Sequence, residues 1–272
     1  MVVKLSNVEL LIVRRLLRDM GFDISGYKDD FLRRRILARM LKLKVSSFTS
    51  YLKLLKHDEE ERIQLLNELA INVSSFFRDP PVWQTVKHQV LYPLFKRATK
   101  LSRTIRIWSA GCAHGQEPYT IAIISRELIR RYFPNLKVLI YGTDIDEHAL
   151  TIAKRGIYKS SDLKNVPANL LVKYFNPKGN GLYEIKPIIR QMVTFRRHDL
   201  IKERPLPLIN AIFCRNVLIY FRRNTQILVL RKFHESLVRP GFLVLGMTES
   251  LPITLNDMFK PLNLRYRIYV KT

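Results

Sequence analysis

The residues best suited to chemistry lie where apolar, strand-like runs end. The run Ile105–Trp108 leads into the glycine-bearing loop Gly111–Gly115, and Glu117 opens the helix-like segment that follows. A second run, Val138–Tyr141, precedes the carboxylate of Asp144. In doubly wound sheets the first strand–helix turn lets the backbone approach a ligand, and an acid at the tip of the next strand accepts hydrogen bonds from ribose hydroxyls. The pattern therefore predicts a cofactor that contains adenosine.

The loop also indicates which adenosine cofactor fits. Gly111–Gly115 lacks the G-x-G-x-x-G spacing that lets a helix N-terminus receive a pyrophosphate. Glu117 would repel a phosphate, whereas its charge suits a cation or an ammonium group. S-adenosylmethionine carries an adenosine, a sulfonium and an amino group, and it has no phosphate. The site therefore favours S-adenosylmethionine over NAD.

Several sequence blocks occur in a fixed order between about Phe31 and Ser250. They are Asn72–Asp79, Trp108–Gly111, Gly115–Ala122, Gly142–Asp146, Phe213–Phe221 and Gly246–Ser250. Together these blocks resemble the CheR-type chemotaxis receptor methyltransferases. The resemblance implies methyl transfer from S-adenosylmethionine to glutamate side chains on the cytoplasmic helical bundle of chemoreceptors, giving methyl esters.

Strand-like and helix-like segments alternate in the second part of the chain. They are Thr104–Trp108, Tyr119–Tyr132, Lys137–Tyr141, Glu147–Arg155, Ala211–Phe213, Thr225–Leu237 and Gly241–Gly246. This alternation predicts a parallel sheet covered by helices on both faces, which Tyr266–Lys271 would complete. The resemblance implies an α/β fold: the class I S-adenosylmethionine-dependent methyltransferase doubly wound sheet, with a small β-subdomain insert and an N-terminal all-α helical domain.

The chain of 272 residues is long enough for a catalytic domain and a smaller one. We expect an N-terminal helical receptor-docking domain over 1–70, a linker that contributes to the cofactor site over 71–103, and the catalytic domain over 104–272. Pro80-Pro81 breaks helix within the linker. Near the end of the first domain, the spacing of Asp58 and Glu61 predicts a helix start of the capping-box kind.

The β-subdomain insert is expected at about 160–197. There the turn Pro177–Gly181 separates Val172–Phe175 from Tyr183–Ile189, and Met192–Arg196 follows, so short strands joined by tight turns are predicted. In some members of the family this subdomain grips a peptide tether at the receptor C-terminus. Because the loop here is short and Pro187 interrupts a strand, we expect direct docking on charge instead of tether binding.

The charge of the chain is strongly one-sided, with 47 Lys and Arg against 23 Asp and Glu, a formal net charge of +24. Such an excess predicts a polyanionic partner, either nucleic acid or a receptor bundle rich in glutamate. Arg35, Arg39 and Lys42 line up beside an apolar stripe in the helix-like segment Phe31–Lys44. We predict that they form a receptor-docking face; the alternative is a packed helix with a solvated basic face.

The resemblance implies a set of cofactor-binding positions. They are the linker residues Asn72, Ser74 and Arg78; Glu117 for the amino group; Asp144 for the ribose hydroxyls; Asp199 and Leu200 beside the adenine; and Arg215 and Asn216 at the methionine end. Ser74 and Asp199 depart from the commonest family pattern, which has threonine and asparagine there. An aspartate at position 199 removes a donor and adds a charge.

The predicted catalytic residues are Arg78 and Tyr220. A glutamate side chain has an unperturbed pKa of about 4.3. The carboxylate of the substrate glutamate, which is the nucleophile, is therefore ionised at neutral pH and needs no general base. Catalysis then consists of aligning its oxygen with the sulfonium methyl group. A guanidinium matches carboxylate geometry, and Tyr220 could offer a hydroxyl beyond the strand Ala211–Phe213. The alternatives are a salt bridge from Arg78 to Asp79 and a half-buried Tyr220 beside Phe221.

Composition bounds the remaining expectations. No run of about twenty apolar residues is present and the N-terminus is unlike a signal peptide, so we expect a soluble cytoplasmic monomer that reaches the membrane only through the receptor. Cys112 and Cys214 are expected to be buried thiols, and no metal site is expected, because neither cysteine has a second ligand at metal-binding spacing.

Two other functions remain as alternatives. A nucleic-acid methyltransferase would explain the charge, but Asp79-Pro80-Pro81-Val82 lacks the aromatic residue of the motif that serves amino-group methylation of bases, and we expect no stable nucleic-acid partner. A receptor-binding adaptor without activity is the third interpretation. The intact Glu117, Asp144, Arg78 and Tyr220 argue against it.

Overall fold

The computed structural model describes residues 5–20, 23–69, 74–101 and 104–271. The chain divides into two compact units. One contains 1–71 together with 220–226, and the other contains 72–219 together with 227–272.

The first unit is built from helices. They are α1 (Asn7–Asp19), α2 (Asp29–Lys42), α3 (Phe48–His57) and α4 (Glu59–Leu69). Leu17, Leu32 and Tyr51 are fully buried and help to form its core. At the start of α1 the Ser6 hydroxyl accepts from the Glu9 backbone N–H at 3.2 Å, and the Glu9 carboxylate accepts from the Ser6 N–H at 2.7 Å. These reciprocal bonds pair two donors that a helix start leaves open.

A buried ion pair joins α2 to α4. The Arg39 guanidinium is bidentate on the Glu61 carboxylate, with Nε at 3.1 Å from Oε1, and the Tyr51 hydroxyl donates to Oε1 at 2.8 Å. Arg39 is only 5% exposed. The prediction that Arg39 belongs to an exposed basic face is therefore wrong, because its charge is held by Glu61 inside the unit. Lys42 is exposed, and Arg35 is half-buried with Nη1 at 3.0 Å from Glu68.

Residues 220–226 pack with the helices of the first unit. The Tyr220 ring lies 5.0 Å from the Phe31 ring, and the Tyr220 carbonyl accepts from the Lys28 N–H at 3.0 Å. The Phe221 ring meets Tyr27 edge-on at 5.2 Å. The structure therefore groups Tyr220 with an aromatic cluster at the edge of the helical core.

The second unit is organised by two sheets. Its strands are β1 (Ile105–Ala110), β2 (Val138–Asp144), β3 (Ile157–Lys159), β4 (Phe175–Gly179), β5 (Leu182–Ile185), β6 (Val193–Arg197), β7 (Ile209–Cys214), β8 (Leu237–Leu245), β9 (Lys260–Asn263) and β10 (Ile268–Lys271). The main sheet has seven strands in the order β6-β2-β1-β7-β8-β10-β9. The first five are parallel, and β10 is antiparallel to both of its neighbours. The predicted α/β sheet is confirmed, with an antiparallel edge.

Helices cover both faces of this sheet. The helices that follow α4 in the chain are α5 (Pro80–Thr85), α6 (Tyr92–Lys100), α7 (Gln116–Tyr132), α8 (Glu147–Arg155), α9 (Ala168–Tyr174), α10 (Pro187–Arg190) and α11 (Arg223–Ser236). Ile107 of β1 belongs to the core that includes α6 and α7. The next residue, Trp108, contacts the ring of Phe233 on α11 at 5.3 Å. Because successive side chains of a strand point to opposite faces, this alternation confirms the doubly wound arrangement.

The predicted insert is partly wrong in its elements. A small antiparallel sheet in the order β3-β5-β4 is present, but Val172 lies in helix α9 and Pro187 begins helix α10. Proline is favoured in the first turn of a helix because its missing N–H has no partner there. Val193–Arg197 is an edge strand of the main sheet, in parallel register with β2. It therefore lies outside the small sheet.

The predicted linker is mostly helical. Pro80 and Pro81 occupy the first turn of α5, and a π-helical turn over Val86–Leu91 carries the chain into α6. The sequence predicts that Pro80 and Pro81 break a helix within the linker. In the structure they begin helix α5 instead. Across the described ranges, none of the helices combines the length and the apolar character needed to span a bilayer.

Candidate active site

Glu117 stands in the first turn of α7, directly beyond β1. Gly115 precedes this helix with a φ of +88°, and a Cβ there would lie 2.8 Å from Ala153 Cβ, so only glycine fits the turn. Glu117 Oε1 accepts from the Ser109 hydroxyl at 2.8 Å. The close turn therefore fixes a carboxylate at the carboxyl end of the central strand.

The electrostatics of Glu117 are dominated by burial. Burial raises the pKa of its carboxyl group, and the Arg215 guanidinium and the Ser109 hydroxyl partly oppose this rise. Arg215 Nη1 is 3.8 Å from Glu117 Oε2, which is too long for a hydrogen bond. Arg215 and Glu117 attract each other but form no hydrogen bond, so Glu117 Oε2 can still accept a hydrogen bond from a cationic donor.

Asp144 ends β2 and holds the neighbouring loop. Its Oδ2 accepts from the Ala113 N–H at 2.8 Å, and its Oδ1 accepts from the Asp146 N–H at 3.0 Å. Burial raises the pKa of Asp144, and these backbone donors lower it in part. Each carboxylate oxygen can accept more than one hydrogen bond, so Asp144 can hold the loop and still accept from hydroxyl donors.

Arg215 lies in the loop that follows β7 and connects this loop to the start of α5. Its Nη2 is 2.7 Å from Asp79 Oδ2 and donates to the Arg78 carbonyl at 3.1 Å. The guanidinium also lies over the Trp83 ring, 5.1 Å from its centroid, and Trp83 Nε1 donates to the same Arg78 carbonyl at 2.9 Å. Asp79, the residue next to Arg78, has a φ of +58°. The backbone of Arg78 is therefore held from two sides.

Three buried side-chain atoms beside the ends of β1 and β7 have no hydrogen-bond partner within the described residues. They are Gln116 Oε1, Arg215 Nε and Asn216 Oδ1. Asn216 has a φ of +61°, which few non-glycine residues adopt. An unpaired buried polar atom costs about 1 to 3 kcal/mol, so a native protein rarely keeps several together unless a ligand completes them. We call Gln116, Glu117, Arg215 and Asn216 the open cluster.

Glu249, which the sequence interpretation did not assign to the site, organises the loop that carries Asn216. Its carboxylate accepts backbone N–H groups from Asn216 at 2.9 Å and Val217 at 2.9 Å, and from Gly246 after β8 at 2.6 Å. Burial raises the pKa of Glu249, and backbone N–H groups, those of Gly246 and Asn216 first, oppose the rise. Its membership of the block Gly246–Ser250 was the signal available in the sequence.

Asp199 and Leu200 lie in a loop that is built by hydrogen bonds of its own. Asp199 Oδ1 accepts from the N–H groups of Ile201 at 2.8 Å and Lys202 at 3.1 Å. Lys232 Nζ donates to the carbonyls of Leu200 at 3.4 Å and Ile201 at 2.5 Å. An aspartate at position 199 serves this turn because the turn needs only an acceptor.

The other predicted residues are placed as follows. Asn72 lies outside the described residues, and Ser74 is half-buried in the segment that leads to Arg78. Tyr220 is grouped with the helical unit, so its catalytic role stays a prediction. Cys112 and Cys214 are buried free thiols, and burial raises the pKa of both. The structure thus brings Glu117, the Arg78 backbone, Arg215 and Asn216 together.

The chain matches two family profiles in succession. Residues 10–70 match the CheR methyltransferase all-alpha domain, and residues 72–268 match the CheR methyltransferase SAM binding domain. The two matches together cover both units of the structure.

Similar proteins occur in several bacteria. A chemotaxis protein methyltransferase of Listeria monocytogenes is 34% identical over 267 residues, which is 95% of this chain and 98% of that protein. One of Borreliella burgdorferi is 32% identical over 247 residues, 88% of this chain and 87% of that protein. An uncharacterized 104.1 kDa protein of Rhodobacter capsulatus is 38% identical over 245 residues, 89% of this chain but 25% of that protein. The chain thus spans a quarter of the length of this last relative.

Proposed function

The chain belongs to the CheR methyltransferase family, and we propose that it transfers methyl groups to glutamate side chains of chemoreceptor cytoplasmic domains, forming methyl esters. S-adenosylmethionine is the cofactor of the family's SAM binding domain, and the fold is that of the class I methyltransferases. The observation that carries the proposal is the open cluster, where the largely buried Glu117 carboxylate lies at the carboxyl ends of the central strands with three buried polar atoms that have no partner among the described residues.

The open cluster fits the amino-acid end of S-adenosylmethionine. An ammonium group needs acceptors, which the Glu117 carboxylate and the oxygens of Gln116 and Asn216 offer. A carboxylate needs a donor, which Arg215 Nε offers. Asp144, at the end of the next strand, would accept from the ribose hydroxyls. These are the roles that we propose for the cofactor positions.

The chemistry needs alignment more than proton transfer. When bound, S-adenosylmethionine would supply an activated methyl group, and S-adenosylhomocysteine would be the product left after the S–CH₃ bond breaks. The substrate carboxylate is ionised at neutral pH, so an oxygen lone pair can attack directly. We propose that the Arg78 guanidinium orients this carboxylate and that Tyr220 contributes a hydroxyl. The bonds to the Arg78 carbonyl from Arg215 and Trp83 support the first role, because they fix the backbone from which that side chain projects.

The proposed partner is the acidic helical bundle of methyl-accepting chemoreceptors. A net charge of +24 would attract such a polyanion over a range set by ionic strength. Lys42 is exposed on α2, and Arg35, two turns earlier on the same helix, is half-buried and paired with Glu68, so these two residues remain the proposed docking positions. The reaction would then take place on the cytoplasmic side of the membrane, by a monomer that stays peripheral to the bilayer.

The test is transfer of a labelled methyl group to a chemoreceptor cytoplasmic fragment, followed by mild alkali. We expect label on the receptor that leaves as volatile methanol, because glutamyl esters hydrolyse under these conditions. The Glu117→Gln variant is the matched control and should label weakly.

The same assay separates the alternatives. An unlabelled receptor together with alkali-stable label on RNA or DNA would assign the +24 charge to a nucleic-acid substrate. Receptor binding without any methyl transfer would indicate an adaptor. Either result would overturn the proposed substrate.

A further inference from the structure

The Glu249 side chain is surrounded by backbone N–H groups from two loops. Oε2 accepts from Gly246 at 2.6 Å and from Asn216 at 2.9 Å. Oε1 accepts from Val217 at 2.9 Å and from Ile219 at 3.3 Å. Glu249 is 4% exposed. One buried carboxylate therefore connects the loop after β7 to the turn after β8.

This arrangement requires a carboxylate in its ionised form. Each oxygen of Glu249 accepts at least two N–H groups, and neither oxygen faces an acceptor among these partners. An amide of the same shape has one oxygen and one NH₂ group, so either of its orientations would set two donors against two donors. Glutamine at position 249 would therefore lose half of the bonds and leave buried N–H groups unpaired.

The loop that Glu249 holds is tightly constrained. Asn216 has a φ of +61°, and a Cβ on Gly246 would lie 2.7 Å from the Asn216 nitrogen. The side chain of Val217 fills the space beside Gly111, where a Cβ would come within 2.5 Å of it. The N–H groups bound by Glu249 thus set the direction of the Asn216 side chain, whose Oδ1 has no partner in the described part of the chain.

We propose that Glu249 is a positioning residue that holds Arg215 and Asn216 in the conformation that binds the methionine end of S-adenosylmethionine. This inference rests on the proposed function, since it needs the open cluster to be the site for that end. Glu249 acts through the backbone of the loop. Its loss should therefore weaken contacts to the amino-acid part of the cofactor and spare contacts to the adenosine part.

The experiment compares two ligands on the Glu249→Gln variant by calorimetry. S-adenosylhomocysteine carries the amino-acid end, and 5′-methylthioadenosine lacks it. We expect the affinity for S-adenosylhomocysteine to fall by at least about tenfold, the loss of one or two hydrogen bonds to a charged group. The affinity for 5′-methylthioadenosine should stay within about twofold. Glu235→Gln, an exposed glutamate on α11, is the matched control and should change neither affinity.

Other outcomes would overturn the inference in distinguishable ways. Equal losses for both ligands would give Glu249 a general structural role, and no loss for either would remove it from the site. If wild-type protein fails to bind S-adenosylhomocysteine, the proposed function itself fails.

A measurement on wild-type protein covers the case in which the variant does not fold. The amide hydrogens of Asn216, Val217 and Gly246 should exchange at least about 100-fold more slowly than those of exposed loops, because the carboxylate holds them. Exchange at loop rates would contradict the proposal.

Discussion

Each unit of the molecule contains a buried arginine beside a carboxylate, and the two sites differ in how completely their polar atoms are paired. In the first unit, Arg39, Tyr51 and Glu61 form a closed cluster in which the guanidinium is bidentate and the hydroxyl donates to the same carboxylate. In the second unit, the open cluster keeps a 3.8 Å separation between Arg215 and Glu117. Its unpaired atoms include Arg215 Nε and Asn216 Oδ1.

The difference separates a structural ion pair from a binding site. In the closed cluster both oxygens of the Glu61 carboxylate accept hydrogen bonds from Arg39, and one of them also accepts from Tyr51, so a ligand that entered would have to displace one of these bonds. The open cluster keeps three buried polar atoms without a partner among the described residues, which is unfavourable for folding and favourable for binding a complementary ligand. A buried polar group with incomplete hydrogen bonding is therefore a better indicator of a binding site than a buried ion pair alone.

Breaking the closed cluster should have the largest effect on stability. Arg39→Ala leaves the Glu61 carboxylate buried without its cation, and we expect a loss of about 3 to 5 kcal/mol in the free energy of unfolding of the helical unit. Urea unfolding followed by far-ultraviolet circular dichroism measures this change. Lys42→Ala, on the exposed face of the same helix, should change it by no more than about 0.5 kcal/mol. A loss below about 1 kcal/mol for Arg39→Ala would mean that the pair is dispensable.

Removing the ribose acceptor should have the largest effect on cofactor binding. Asp144→Ala removes the carboxylate at the end of β2 and releases the Ala113 N–H. We expect the affinity for S-adenosylhomocysteine to fall about 100-fold, as for loss of charged hydrogen bonds. Calorimetry measures the affinity, and Glu147→Ala, an exposed acid on the neighbouring helix, should retain it. Retained affinity in Asp144→Ala would remove this residue from the site.

Neutralising Glu117 should separate stability from binding. Because burial raises the folded-state pKa of Glu117 above its unfolded value, the wild-type protein loses stability as the pH rises through that folded pKa. Glutamine does not titrate, so Glu117→Gln should unfold at higher urea than wild type at pH 7, and this gain should shrink as the pH falls towards about 4.5. Its affinity for S-adenosylhomocysteine should fall about tenfold.

The two readouts of Glu117→Gln test different parts of the comparison. A variant that is less stable than wild type at neutral pH would show that the open cluster supports folding, as the closed one does. Unchanged affinity would show that the carboxylate does not contact the ligand.

The docking surface should show the smallest effect. Lys42→Glu reverses an exposed charge on α2, and we expect KM for the receptor fragment to rise up to about fivefold while cofactor affinity stays unchanged. Lys53→Glu, an exposed position on α3, changes the net charge equally and serves as the control. The difference between the two variants should shrink in high salt. Equal KM values for the Lys42→Glu and Lys53→Glu variants would mean that the exposed face of α2 does not dock the receptor.

The sequence predicted the elements whose signals are local. β1, β2, β7 and β8 are apolar runs, and α7 and α8 follow strand ends at regular spacing. Met192–Arg196 is predicted within the insert because it follows Tyr183–Ile189 after a short connection, whereas in the structure Val193–Arg197 forms β6. Its place in the main sheet depends on pairing with β2, about fifty residues earlier in the chain.

The same distinction applies to the two clusters. The residue types of Glu117 and Asp144, at the ends of apolar runs, carry a chemical meaning that can be seen locally. The burial of Arg39 depends on Glu61, 22 residues away, and the role of Glu249 depends on N–H groups up to 33 residues away. Backbone N–H donors are not visible in residue types. The sequence therefore marks Glu249 as part of the block Gly246–Ser250 but does not reveal that its carboxylate holds the loop after β7.

A crystal structure of the protein with S-adenosylhomocysteine would show whether the open cluster binds the amino-acid end of this ligand. The comparison predicts that the amino-acid end of the ligand fills the open cluster, with Glu117 beside the ammonium group and new partners for Arg215 Nε and Asn216 Oδ1, while the Arg39–Glu61 pair is unchanged. A ligand bound elsewhere, or bound with those two atoms still unpaired, would contradict the assignment of the open cluster as the cofactor site.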